Sequence, residues 1–188
     1  MDTIGLLTYA QLCYVVNNLP VLLSTTTLGS NTASVSYSVV TPYPRIRVEW
    51  NTRTSGAVNS TPLYLQMNGD SGANYQQSFI ENHITSVTGN SSTSLIGQIQ
   101  IGSTSGASAT SGYWGAGSFI ISGANQSIFG PIAVGTGTAY VASGVSPNSY
   151  SGIYGGEYVI AAPLTSVTLS LGAGSFIAGS SFSFYGLT

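Results

Sequence analysis

The sequence predicts an all-β protein, an antiparallel β-sandwich of jelly-roll type with an N-terminal arm. Three observations predict it. Apolar residues alternate with Ser, Thr or charged residues in short runs, the two-residue period of half-buried strands. Nine or ten such runs follow one another at sandwich spacing, divided by Gly-, Pro- and Asn-rich turns. After residue 23 no stretch shows helical periodicity. The Gly-rich segments IQIGSTSG, FIISGANQ and VTLSLGAG recur at no fixed period, which argues against a solenoid or propeller and for two sheets of long-range pairs.

Residues 1–23 read differently from the rest and are assigned to the arm, with 24–188 as the sandwich domain. Leu6, Leu7, Ala10, Cys13 and Tyr14 recur at three- and four-residue spacing, which suits a short helix ending near Asn17-Asn18. An extended arm paired with a neighbouring subunit is the alternative. An apolar terminal segment on a domain with its own core implies attachment to something larger. Leu6, Leu7 and Tyr14 are the candidate arm contacts.

In the domain, Val35, Tyr37 and Val39 alternate with serines until Thr41-Pro42-Tyr43-Pro44. Ile46, Val48 and Trp50 then alternate with Arg45, Arg47 and Glu49, a strand with an apolar inner and a charged outer face. Leu63–Asn68, Tyr75–Ile80 and Leu95–Ile101 are the next strands, with Asn51–Thr61 a loop and Glu81–Ser94 a polar connection. Gly102–Gly112 reads as a loop without an apolar anchor. Phe119–Ile121, Thr138–Ala142, Glu157–Ala161, Val167–Leu171 and Phe182–Tyr185 complete the series.

Composition narrows the function classes. Among 188 residues only 4% are charged and lysine is absent, so Gly, Ser and Thr make a neutral polar surface. Net charge −2 with three arginines lacks the footprint of a nucleic-acid binder. The most apolar run, Ile4–Leu23, is interrupted by Asn17, Asn18 and Pro20, so no membrane span is expected. One cysteine, Cys13, excludes an internal disulfide framework and any CxxC metal site.

Chemistry is sought first in Leu63–Tyr75, LYLQMNGDSGANY, which lies within residues 45–81, where six of the eight charged side chains fall. Gly69-Asp70-Ser71-Gly72 spells the GDSG around the nucleophile of chymotrypsin-like proteases. That chemistry needs a histidine base oriented by an acid. The single histidine, His83, follows Ser71 instead of preceding it, and Ala73 stands where the oxyanion glycine belongs. Asn68, Asp70 and Asn74 have a spacing that suits a calcium ion near Asp70, with Glu81 as a further ligand, but lack the acids of an EF-hand. Turn chemistry accounts for the same residues. Pairing two of Asp2, Glu49, Asp70, Glu81 and Glu157 for glycoside hydrolysis needs a separation that sequence does not supply. Among the aromatic residues, Trp50 falls on the apolar phase of its strand. Trp114, in Gly112-Tyr113-Trp114-Gly115, is the candidate glycan or partner contact, with Tyr113 beside it.

Two strings carry a family resemblance. Leu-Gln-Met-Asn-Gly-Asp-Ser-Gly-Ala-Asn-Tyr (65–75) resembles the "L-R-x-N-G-D-S/T-G-x-N-Y" string of a diffuse set of tailed-bacteriophage virion proteins. Thr165–Leu187, with Gly-Ser-Phe-Ile-Ala-Gly-Ser-Ser-Phe-Ser-Phe-Tyr-Gly-Leu, is similar to their "G-x-F-x-x-G-S-x-x-S-L-Y-G" finish, with Phe184 at the usual Leu. The family's usual lysines and arginines are nearly absent, and 1–23 has no counterpart in it. The resemblance implies a non-catalytic particle component on the virion exterior: a capsid decoration (cement) protein, or a tail or fibre protein. It implies a homotrimer whose partners are the major capsid protein or other virion proteins, with no cofactor. Lattice contacts of a protein so poor in charge are expected to depend little on salt. The competing functions are a receptor-binding domain reading host glycans through Tyr113 and Trp114 and, third, a depolymerase using Asp70 or Glu157.

Overall fold

A computed structural model describes residues 19–39, 43–83, 86–92, 94–143 and 146–188. Twelve strands form two antiparallel sheets, and no helix occurs among the described residues. The strands are β1 (Val21–Thr27), β2 (Ser34–Ser38), β3 (Arg45–Thr52), β4 (Ser60–Met67), β5 (Tyr75–His83), β6 (Ser86–Ser91), β7 (Ile99–Ser105), β8 (Gly115–Ser122), β9 (Ile132–Ser143), β10 (Ser146–Tyr158), β11 (Ser166–Leu171) and β12 (Ser181–Leu187). One sheet has the order β1-β12-β3-β8-β9-β10-β5-β6 and the other β2-β11-β4-β7. The protein is a β-sandwich. Most connections switch sheets; β5–β6, β8–β9 and β9–β10 are hairpins within the larger one.

The core follows the alternation. Ile46, Val48 and Trp50 of β3 point inward, and so do Leu63, Leu65 and Met67 of β4, Val167 and Leu169 of β11, and Phe182 and Phe184 of β12. Burying each such side chain contributes about 1.5–3 kcal/mol. Arg45, Arg47 and Glu49 take the outer face, where Arg47 and Glu49 form an ion pair at 3.2 Å.

Several elements depart from the alternation reading. The expected arm reaches into the sheet: Val21, Leu22 and Leu23 open β1, which pairs with β12. Leu6, Leu7, Cys13 and Tyr14 lie outside the described residues. The loop expected from Gly102 is instead strand to Ser105, and every position of β7 is buried because β9 and β10 of the opposite sheet cover it. The polar connection Glu81–Ser94 holds the end of β5 and all of β6, whose six residues are exposed. A polar edge strand needs only its backbone ladder, so apolar periodicity is silent there.

Of the strand expected at Glu157–Ala161 only Glu157 and Tyr158 are strand, the last two residues of the much longer β10, and Thr138–Ala142 falls in the second half of β9. Their extent was hidden because many inward positions are glycine or alanine, such as Ala133, Gly137, Ala139 and Gly156. The Trp50 indole fills the space instead: a Cβ at Gly102 or Gly117 would stand 2.6 Å from its Cζ2, and one at Gly137 2.9 Å. A large side chain on β3 thus requires glycine on β8 and β9 of its own sheet and on β7 of the other.

Candidate functional site

Three places hold the residues that sequence singles out. The first is the turn after β4. Asn68 and Gly69 both adopt positive φ, 57° and 67°, and the Asp70 N–H donates to the Met67 carbonyl at 3.0 Å, a type I′ turn. Asn and Gly are the residues that tolerate this geometry. Here the turn does not close a hairpin; it carries the chain from one sheet to the other, and Asn68 and Asp70 complete it.

Asn68 Oδ1 accepts the Thr165 N–H at 2.6 Å, and its Nδ2 donates to the Pro163 carbonyl at 3.0 Å, which ties the turn to the entry of β11. Asp70 Oδ1 accepts the Gly72 N–H at 2.7 Å. Its Oδ2 accepts Asn74 Nδ2 at 2.8 Å and the Tyr158 hydroxyl at 2.9 Å. The Gly72 amide, then the Asn74 and Tyr158 bonds, hold the Asp70 carboxyl below the usual carboxylate range. Burial, reinforced by Asp70, pushes the Tyr158 phenol up to about 12. The Tyr75 hydroxyl accepts the Met67 N–H at 2.9 Å and donates to the Asp70 carbonyl at 2.8 Å.

Three donors fall on the Asp70 carboxylate, and Asn68 Oδ1 is turned to the Thr165 amide. Glu81 is bonded elsewhere, so Asn68, Asp70, Asn74 and Glu81 are not brought together on a common point. Among the described residues no three His, Cys, Asp or Glu side chains cluster as a metal set.

The second place is the buried carboxylate of Glu81, between β5, β7 and β10. Its Oε1 accepts the hydroxyls of Ser103 and Tyr154, both at 2.7 Å, and Oε2 lies 3.3 Å from His83 Nε2. The Tyr150 ring meets the His83 ring edge-on, with centroids 4.2 Å apart. Burial and the bond to Glu81 push the Tyr154 phenol far above its ordinary value, so it stays a donor. The histidine of the supposed protease set thus pairs with Glu81 and Tyr150. The Ser103 hydroxyl donates directly to the acid, so the nucleophile–base–acid order of a triad is not formed here. The cluster links the two sheets by hydrogen bonds, Ser103 from one and Tyr154 from the other. Sequence reasoning missed it because its members are 22 and 73 residues apart; the one signal was a glutamate on the inward phase of β5.

The third place is the aromatic pair. Tyr113 and Trp114 are both half-buried. The Tyr113 ring lies 4.7 Å from that of Tyr140, and the Trp114 ring stands 3.3 Å from where a Cβ on Gly179 would be. Arg53, also unforeseen, holds this loop: its guanidinium donates to the carbonyls of Ala109 at 2.9 Å, Thr110 at 3.0 Å and Tyr113 at 2.9 Å. The pair is therefore fixed in orientation. Glu157, the other acid considered, is half-buried on the outer phase of β10, where its register partners are Ile132 and Gln76.

Outside these places the outer face of the eight-stranded sheet carries Ile80, Ile153, Val134 and Ile132, each more than 40% exposed. Adjacent apolar residues within a strand, as in Phe79-Ile80, were the sequence signal, since one of each pair must face out. No protein-family model, curated protein or solved structure matches the chain.

Proposed function

We propose that this chain is a non-catalytic structural protein of a tailed-phage virion, a capsid decoration protein that binds the capsid exterior as a homotrimer. The observation that carries the reading is a contrast within the domain. The polar groups of the distinctive turn and of the Glu81 cluster are satisfied by the chain itself, whereas one sheet face leaves a contiguous set of isoleucine and valine side chains in water. A contiguous exposed apolar patch marks an interaction surface. The two strings shared with phage virion proteins, Leu65–Tyr75 and Thr165–Leu187, supply the kind of assembly. In the structure the first is the β4–β5 crossover and the second contains β11 and β12. Both are frame elements of the sandwich, which suits a family marker.

The test is to image purified particles labelled with antibody against the domain. Label distributed over the capsid supports the decoration reading; label restricted to the tail, or absent, overturns it. The tail or fibre receptor reading rests on the fixed Tyr113–Trp114 pair, because an oriented aromatic face is what stacking on a sugar ring requires. Glycan-array binding that is lost on Trp114→Ala would favour that reading over the first.

A further inference from the structure

The exposed apolar residues of the larger sheet form a continuous row. Ile80 of β5 pairs directly with Ile153 of β10, Gly155 of β10 pairs with Val134 of β9, and Val134 pairs with Ile120 of β8. Beside this row lies a furrow of about 620 Å³ lined by Ile80, Val134, Ile153, Gly155 and Gly89. Gly155 is unlike the glycines beneath Trp50. A Cβ there would meet its nearest atom, the Ala133 carbonyl oxygen, at an ordinary 3.7 Å, and its φ is not positive. Gly89 is similar, with its nearest neighbour at 3.8 Å. The domain's own packing therefore has room for a side chain at both positions. Glycine in a strand costs stability relative to alanine and marks where another backbone comes close.

The chain supplies a fitting occupant. Residues 1–18 carry Ile4, Leu6, Leu7, Leu12, Val15 and Val16 with Asp2 as their one charge, so neither surface has a charge network to desolvate on contact. In sequence they precede β1, the opposite edge strand of the sheet. Val21 lies in register with Gly186, Ile46, Ile121, Ala133 and Gly156 in turn, five interstrand spacings or about 24 Å from β10. Eighteen extended residues span about 60 Å, so the length suffices with a wide margin. Within one chain, however, the direct path crosses the outer faces of β12 and β3. There Arg47 pairs with Glu49 and lies over the Tyr185 ring at 4.7 Å. Covering that pair with apolar side chains would strip its water without offering a replacement. A segment arriving from another copy meets no such strip. Its donor edge and the receiving furrow are different surfaces of one molecule, which makes the contact heterologous.

We infer that residues 1–18 of one copy seat in the Ile80–Ile153–Gly155 furrow of a neighbouring copy and hold the oligomer together. This stands on the geometry of the face and does not depend on the virion reading.

Cys13 is the chain's single cysteine and serves as the probe. In the full-length protein, Ser78→Cys places a thiol on the exposed furrow wall, and Ser36→Cys places one on the outer face of the other sheet as the control. Mild oxidation should join Cys13 to position 78 between chains, giving a reducible ladder on a gel, with at least tenfold less product at position 36. A Cys13-to-78 bond mapped within one chain, equal yields at the two positions, or no cross-link at either overturns the inference. Sedimentation of otherwise unmodified full-length protein gives a second reading. Ile153→Lys, and independently Gly155→Gln, should shift an oligomer to monomer while the melting temperature of the domain is retained. Either variant sedimenting as the parent oligomer, or a parent that is already monomeric, overturns it as well.

Discussion

The two faces of the eight-stranded sheet use the same residues to opposite ends. On the inner face, Gly117 and Gly137, with Gly102 of the opposite sheet, are required because Trp50 occupies the space their side chains would need, and Glu81 is accepted because two hydroxyls and an imidazole surround it. On the outer face, Gly155 and Gly89 have room for side chains they do not carry, and Ile80 and Ile153 are apolar where nothing of the described chain covers them. Inward, small residues complement large ones. Outward, the complement is missing. A face whose composition its own packing does not explain is where a partner is to be sought.

The contrast is broken most severely from the inside. Trp50→Ala should cost about 3–5 kcal/mol, because three glycine-lined walls have no side chains with which to refill the cavity. Urea denaturation measures it, and a loss below about 1 kcal/mol would show that Trp50 does not set the sheet spacing. Glu81→Ala comes next, at about 2–3 kcal/mol, since it leaves the Tyr154 and Ser103 hydroxyls buried without their acceptor. In the same denaturation series Tyr154→Phe should cost less, because it removes a donor and leaves the carboxylate still bonded to Ser103.

A smaller effect belongs to Asp70, and its sign follows from its depressed carboxyl. A group whose folded pKa lies below its unfolded value contributes stability above the unfolded value, about 3.9, and loses it as the pH falls through the folded one. Asp70→Asn should therefore lower the melting temperature by a few degrees at pH 7. The gap to the parent should narrow below about pH 4. A gap that is constant with pH would mean that geometry, and not charge, is what Asp70 supplies. Smallest of all, Gly155→Ala should be neutral or stabilise the isolated fold by up to about 1 kcal/mol, whereas Gly137→Ala should destabilise it. Equal losses at both positions would erase the distinction between the faces.

What was legible in the sequence follows from range. In β3 and β4, inward residues are large and apolar and outward ones polar, so a few neighbouring residues reveal both strand and face. The type I′ turn at Asn68-Gly69 was equally readable, because positive φ is a property of the residues themselves. The second half of β7, and β9 and β10, were hard to read because glycine, serine or alanine takes many of their inward positions, as at Gly102, Ser103, Ala133, Gly137, Ala139 and Gly156. Those residues make sense only when Trp50 and Tyr154 are in place from elsewhere in the chain.

The fold class, the turn and the neutrality of the surface are local or compositional matters, settled by residue type and spacing along the chain. The Glu81 cluster, the hold of Arg53 on the Tyr113–Trp114 loop and the open row of Ile80, Ile153 and Val134 are not. They arise from strand order and register, which bring together residues dozens of positions apart. Long-range pairing is selected by the packing of the whole sandwich rather than by any one segment, so only the folded chain shows which polar groups are satisfied and which apolar side chains are left without cover.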